Sequence, residues 1–402
     1  MASISFNLVL GLSLLGFLHS PVSAAEAVRI GGIFALSGLF ASGGQDSKNG
    51  AELAAEKINA AGGIKSLDGA KIELVFGDSQ SKPASAASET ERLITQSKVS
   101  VVMGANTSAE TIPASVVSER YQIPFLVPMA QSEDITSRGF KWLWSLGLKD
   151  SDYGASAIQA LQMVQQKDSR LRRVAFVHGD NETGQNAAKS FKELIAKEPG
   201  YEFTGDVEYS ARAQDFAPIV LKIRDMNAQM VVMAAYLREV IGFARAFEQL
   251  DFHPVWIAMS GSTADPKFGA QVGPLANGVI NTTVMGLDLP KVKAVDDIFR
   301  SKHNASMSSM AVLTYQATNV IAQALEKAAS RDPEKIAQAL RTIKLPGDEL
   351  ITSNDFIQFD AAGVNKGRRA MLTQWQDGKL VTIAPQNIAT GSLMMPKINV
   401  LK

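Results

Sequence analysis

The sequence predicts an α/β protein of two lobes, each carrying a parallel-rich central sheet with helices on both faces. Three observations carry this prediction. Strand-like apolar runs alternate with segments of helical periodicity from Val28 onward. The alternation restarts after residues 141–150, which marks a passage from one lobe to the next. The strand runs are apolar throughout rather than alternating, as expected of strands covered on both faces.

Taken in order, Val28–Phe34 reads as a strand and Ser47–Ala61 as a helix with Ala51, Ala54, Ala55 and Ile58 in register, stopped by Gly62-Gly63. Ile72–Phe76 is a strand, and Pro83–Gln96 a helix with proline in its first turn. Val99–Met103, a helix from Ala109 to Tyr121 and the short strand Phe125–Val127 complete the first series. The second series runs helix Ser151–Gln166, strand Arg173–Val177, helix Thr183–Lys197, helix Phe216–Asn227, strand Met230–Ala234, helix Arg238–Gln249 and strand Val255–Ala258. A helix at Tyr315–Ala328 and strands near Phe356–Phe359 and Met371–Trp375 follow, and composition does not assign them to a lobe.

Composition sets the class. The chain has 402 residues, 46% hydrophobic and 20% charged, enough for a large packed core. Forty basic residues balance forty acidic ones, which argues against a nucleic-acid partner. Leu8–Leu18 is an unbroken apolar run, too short to span a bilayer, ended by Pro21 and followed by Val22-Ser23-Ala24. Small residues at those positions suit a leader peptidase, so residues 1–24 read as a secretory signal peptide, although no Lys or Arg precedes the run. There is no Cys, hence no disulfide, thiolate metal site or lipid-anchor cysteine. The expected product is a soluble extracytoplasmic protein.

Catalytic and cofactor patterns are missing. Gly38 and Gly43 have the spacing of a phosphate-binding loop, but Gly44 and Gln45 stand where Lys and Ser or Thr are required. His178, His253 and His303 are far apart, and no zinc pattern exists. No G-x-S-x-G elbow is present, and Ser79-Gln80-Ser81-Lys82 lacks its K-T-G partner. No metal, cofactor or enzymatic activity is expected.

Ligands of open α/β sheets sit beyond the carboxyl ends of the strands. Those positions hold Ser37, then Asn106, Thr107 and Ser108, then Ala130, Gln131 and Ser132, and in the second series Asn181, Tyr236 and Ser260. These are hydroxyls, amides and small residues, suited to hydrogen bonding with a small polar solute. Asp150, Tyr153 and Thr183 near helix starts, and Gly43 in the first glycine-rich turn, complete the candidates.

Several stretches, in order, resemble the extracellular solute-binding proteins of branched-chain amino-acid-type ABC importers. They are Ile33-Phe34-Ala35-Leu36-Ser37-Gly38, then Asn59-Ala60-Ala61-Gly62-Gly63-Ile64, Asp78, Pro113-Ala114, Arg138-Gly139-Phe140 and Asp377-Gly378-Lys379. The resemblance implies a type I periplasmic binding fold, two Rossmann-like lobes joined by a three-strand hinge. It places lobe one at 26–148 plus 283–350 and lobe two at 149–282 plus 351–402. It gives Ser108 the role of binding a ligand carboxylate, the Ala130 carbonyl that of accepting from an ammonium, and Tyr236 that of facing the cleft. Gln131 stands in for a threonine.

Three positions depart from the family pattern. Gly43 stands where an aromatic is common, Thr183 where tyrosine is, and Ser260 where an acid pairs with the ligand ammonium. Asp265 and Asp180 are the possible substitutes for that acid. The resemblance implies a monomer that captures an amino acid or related small carboxylate by hinge closure in the periplasm and delivers it to an inner-membrane ABC permease. A ligand-sensing protein without transport, binding an amide, urea or an aromatic or aliphatic acid, is the alternative.

Overall fold

The computed structural model describes residue 1, residues 25–259 and residues 261–400. The leader expected over 1–24, apart from Met1, and Ser260 lie outside the described residues.

Strand β1 (Val28–Phe34) leads into helix α1 (Ala41–Ala60), then β2 (Ile72–Asp78), α2 (Pro83–Thr95), β3 (Val101–Gly104), α3 (Ser108–Tyr121), β4 (Phe125–Val127) and β5 (Leu143–Ser145). These strands form an all-parallel five-stranded sheet ordered β2-β1-β3-β4-β5. The second series comprises α4 (Asp150–Lys167), β6 (Arg173–Gly179), α5 (Glu182–Ile195), β7 (Glu202–Tyr209), α6 (Ala217–Asp225), β8 (Met230–Ala234), α7 (Leu237–Gln249), β9 (Val255–Met259), α8 (Pro266–Val272) and β10 (Ile280–Thr283). The chain then returns to the first lobe with α9 (Pro290–His303), α10 (Ser309–Ala328), α11 (Pro333–Thr342) and the short antiparallel pair β11 (Leu345–Pro346) and β12 (Phe356–Ile357). It crosses once more to add β13 (Met371–Gln376) and β14 (Lys379–Ala384), antiparallel, to a seven-stranded sheet ordered β14-β13-β10-β9-β8-β6-β7.

Both sheets are buried on two faces, which explains their continuous apolar strands. Val101 and Met103 point toward Val320 and Ile321 of α10 and Leu340 of α11, whereas Val102 between them packs with Leu93 of α2 and Ala114 of α3. Each such fully buried aliphatic side chain contributes about 1.5–3 kcal/mol of transfer free energy. In the second sheet Val231 and Met233 face Phe243 of α7, while Val232 faces Phe191 of α5.

Three crossovers join the lobes. Ser145 at the end of β5 donates its N–H to the Gly363 carbonyl and accepts from the Asn365 N–H, so the first and last crossovers run side by side. In the middle crossover the Val284 carbonyl accepts from Ser353. Residues 351–359, assigned by resemblance to lobe two, pack instead with lobe one. Ile351 buries against Met285, Phe299 and Tyr315, and Ile357 and Phe359 join the first core, because β12 is held to β11.

Helix α1 also departs from expectation, starting at Ala41 rather than Ser47. Gly43 and Gly44 suggest a turn by propensity, but Gly44 is required by packing. A Cβ there would lie 1.9 Å from the Ala35 carbonyl oxygen, and one at Gly50 would lie 2.1 Å from the Ala311 oxygen. Close helix approach overrides propensity at both positions.

Candidate functional site

Between the lobes lies a cleft of about 560 Å³, within the range that encloses small-molecule ligands. Its lobe-one wall is built around the N-terminus of α3. Thr107 caps the helix, its hydroxyl accepting from the Glu110 N–H at 3.3 Å, and the Glu110 carboxylate accepts in return from the Thr107 N–H at 3.1 Å and hydroxyl at 2.7 Å. Ser79 donates to the other Glu110 oxygen at 2.5 Å. Asn106 is held as firmly. Its carbonyl accepts from the Ala35 N–H at 2.8 Å, and its amide donates to Ser47 Oγ at 2.8 Å.

Ser108 is the first residue of α3 and is only 1% exposed, with its Oγ accepting from the Ser132 N–H at 3.3 Å. Among the described residues no acceptor takes the N–H groups of Ser108 and Ala109. Two free donors at the positive end of a helix, beside a hydroxyl, form a receptor for an anionic oxygen.

The lobe-two wall is of a different kind. Tyr236 caps α7, and Leu237, Arg238, Ile241, Gly242 and Arg245 put one face of that helix on the cleft. Burial pushes the Tyr236 phenol above its ordinary range, opposed by Thr183 within hydrogen-bond reach. The Phe40 and Tyr236 rings meet across the cleft with centroids 4.6 Å apart. Lys267 on α8 reaches over to Asp46 on α1 at 2.7 Å, so an ion pair also bridges the lobes. Asp265 lines the wall and caps α8 by accepting from the Lys267 N–H at 2.8 Å. Burial raises its carboxyl to about 6.

The cleft brings together Gly43, Asn106, Thr107, Ser108, Ala130, Gln131, Tyr153, Asn181, Thr183 and Tyr236 among the residues expected from sequence. Others lie elsewhere. Ser37 does not line the cleft; its hydroxyl donates to Asp78 Oδ2 at 2.7 Å and fastens the end of β1 to the end of β2. Burial acts against the Asp78 carboxylate, yet the Ser37 hydroxyl and the Gln80, Ser37 and Leu36 N–H groups hold its pKa below the ordinary value. Ser132 is buried behind the wall, accepting from the Asp134 N–H and from the Asn186 amide of lobe two at 2.9 Å. His178 is a buried structural residue, bonded to the Gly179 carbonyl and to Asp206. Of the two acids considered as replacements at the amine subsite, Asp265 lines the cleft and Asp180 does not; Asp180 accepts from the Ala211 N–H.

Asp150 sits beneath the cleft, at the end of the first crossover. It is 0% exposed and neither carboxylate oxygen has a hydrogen-bond partner among the described residues. Burial raises its pKa to about 8, with Glu133 adding to the rise. Neighbouring Lys149 is buried too, and burial lowers its pKa to about 8. Asp152 pairs with Arg368 of the last crossover at 2.6 Å.

Sequence reasoning missed Phe40, Met129, Phe216, Arg238, Arg245, Lys267 and Met310 as lining residues. A usable signal existed for α7: Leu237, Ile241 and Arg245 recur at four-residue spacing directly after the strand-end tyrosine. Among the described residues no cluster of three or more His, Asp or Glu could hold a metal, and no helix is long and apolar enough to cross a membrane.

Comparison with known proteins agrees with this architecture. A family model described as periplasmic binding protein matches residues 27–379. The chain is 28% identical over 405 aligned residues to Leu/Ile/Val-binding protein homolog 8 of Brucella abortus, covering 97% of this chain and 99% of that one. Its fold is similar to that of the branched-chain amino acid transporter substrate-binding protein LivJ from Streptococcus pneumoniae, solved in complex with isoleucine (TM-score 0.75, 25% identity, 89% of this chain and 100% of that one). It is equally similar in fold to a leucine-binding protein LivK from Thermotoga maritima (TM-score 0.75, 22% identity, 89% and 98% coverage). These relatives are solute-binding proteins, not enzymes. With a type I fold over its described length and a family match across most of the chain, this protein belongs to the periplasmic binding protein family.

Proposed function

We propose that this chain is the extracytoplasmic solute-binding component of an ABC importer, and that it captures an amino acid or related small carboxylate between its lobes. The observation that carries the proposal is the N-terminus of α3, where Ser108 and two backbone donors face the cleft on a scaffold of fixed hydrogen bonds. An acid group of the solute docks there. Asp265, on the opposite wall, supplies the negative charge that an ammonium requires in place of the acid missing at position 260.

Mechanistically, a solute touching α3 on one lobe and α7 on the other makes its full set of contacts only when both walls enclose it. Its binding therefore favours the closed arrangement. Micromolar affinity corresponds to about 8 kcal/mol, within reach of a few charge-assisted hydrogen bonds and a buried apolar side chain. In this reading residues 1–24 direct export to the periplasm, the protein acts as a monomer, and an inner-membrane permease receives the solute.

The test is calorimetry and thermal shift with the amino acids and their deaminated carboxylates, together with mass spectrometry of any solute that co-purifies. Selective binding of amino acids or carboxylates is the expected result. A full panel with neither heat nor a raised melting temperature would falsify the proposal.

A further inference from the structure

The cleft does not end at the amino-acid subsite. Along α7, Leu237 and Arg245 are separated by eight residues, which places them about 12 Å apart along the helix axis. Between them Arg238 and Glu239 lie near the Leu237 end, and Ile241 and Gly242 with Phe216 make the next stretch of wall apolar. Phe216 packs closely against Gly242, where an added Cβ would come within 2.3 Å of its ring, and Ile241 lines the same cleft. On the opposite wall Gly43 adds no bulk; a Cβ there would meet only Met310 Cγ, at 3.8 Å. The result is an arm longer and wider than an aliphatic side chain fills.

The charges along this arm are not equivalent. Arg238 is committed to the Ala213 and Ala211 carbonyls, at 2.7 and 2.6 Å. Lys267 is paired with Asp46. Arg245, exposed at the outer end, has no hydrogen bond or ion pair among the described residues, although it lines the same cleft. A planar guanidinium at the mouth of an apolar arm suits a carboxylate, which it can bind with two parallel hydrogen bonds.

We infer that the solute is elongated and carries a second, distal carboxylate, with its first acid at the α3 N-terminus, an apolar body between Gly43 and Phe216, and its far end on Arg245. This deepens the proposed function and rests on it. Gly43 and Arg245 are then the residues that set which acid is taken, one by leaving room and the other by charge.

Three probes test this by calorimetry on the full-length mature chain: leucine, phenylalanine and 4-carboxyphenylalanine, the last two differing only in the distal acid. The expected result is that 4-carboxyphenylalanine binds about two- to tenfold more tightly than phenylalanine, with the preference shrinking as salt is added. In Arg245→Gln, an exposed substitution, the preference disappears. In Gly43→Trp both aromatic probes bind more weakly than in the parent. Equal binding of the two aromatic probes by the parent, or a preference that survives Arg245→Gln, overturns the inference. Binding of leucine with no binding of either aromatic probe overturns it while leaving the amino-acid reading in place. Failure of all three overturns the inference, and the proposed function falls with it only when the full panel of amino acids and carboxylates is silent as well.

Discussion

The two walls of the cleft are made from opposite materials. Lobe one presents short side chains, Asn106, Thr107 and Ser108, each buried and already bonded, to the Ala35 N–H and Ser47 hydroxyl, to Glu110 behind the wall, and to the Ser132 N–H respectively. Lobe two presents the long side chains of Tyr236, Arg238, Arg245 and Lys267, with Asp265 beside them, carried on α7 and α8 or on the residues that cap them. A short side chain with its hydrogen bonds already made has little rotamer freedom to lose when ligand arrives, whereas a long charged one has much. The first wall is suited to recognising what all ligands of the class share, an acid group. The second is suited to telling them apart.

Glu110→Ala is the most damaging way to challenge that contrast. It strands the Thr107 N–H and hydroxyl and the Ser79 hydroxyl in a site 1% exposed. A loss of about 3 kcal/mol in urea unfolding is expected, together with weaker ligand binding, and Glu110→Gln should recover part of both. Unchanged stability would mean that the first wall is not rigidly held.

Beneath the walls, Asp150 gives a pH-dependent test. Its folded pKa of about 8 lies above its ordinary value, so the folded chain holds a proton that the unfolded chain releases. The stability of the parent relative to Asp150→Asn should therefore fall as pH rises from about 4 to about 8, then level off. Lys149 works in the opposite sense above that range: its lowered pKa means the folded chain binds fewer protons there, and stability recovers with further rise in pH. Chemical denaturation of both proteins at pH 5 and pH 8.5 measures the gap, and a gap independent of pH would show Asp150 to be ordinarily solvated.

Ser108→Ala probes the acid receptor itself. Carboxylate affinity should drop by about 1–2 kcal/mol with little change in melting temperature of the unliganded chain, read by calorimetry across the solute panel. The smallest effect belongs to the bridge between walls. Asp46→Asn removes the partner of a Lys267 that is partly solvent-exposed, and affinity should weaken by about 0.5–1 kcal/mol at low salt and less at high salt.

How much of this was legible in the sequence follows the same division. The inner strands could be read directly, since runs such as Met230–Ala234 are apolar on both faces and admit no other placement. Strand β7 was missed because its outer residues are exposed and it lies at a sheet edge. The beginning of α1 was hidden by Gly43 and Gly44, whose value lies in contacts with Ala35 and in open space rather than in propensity. Strand-end reasoning found most of the first wall, since short polar residues follow β3 and β4 in sequence. It misjudged Ser37, because nothing local reveals that Asp78, on the neighbouring strand, claims its hydroxyl. The second wall stayed largely unread for a physical reason: an arginine or lysine on an amphipathic helix has the same pattern whether it faces water or a cleft.

Helix α10 has a consequence for the order in which the protein can be assembled. One face of the first sheet is covered by Val320 and Ile321, and the loop after α1 is anchored by Lys65 and Ser66 N–H groups on Glu326, at sequence separations of 261 and 260. Until that late stretch of chain is available, this face of the first sheet is covered only in part, by Ala51 and Ala55 of α1, and its core stays incomplete. The lobe begun first is therefore finished late, at the cost of closing a long loop. A truncation before α10 removes no appendage; it leaves both ends of the first lobe without their shared core.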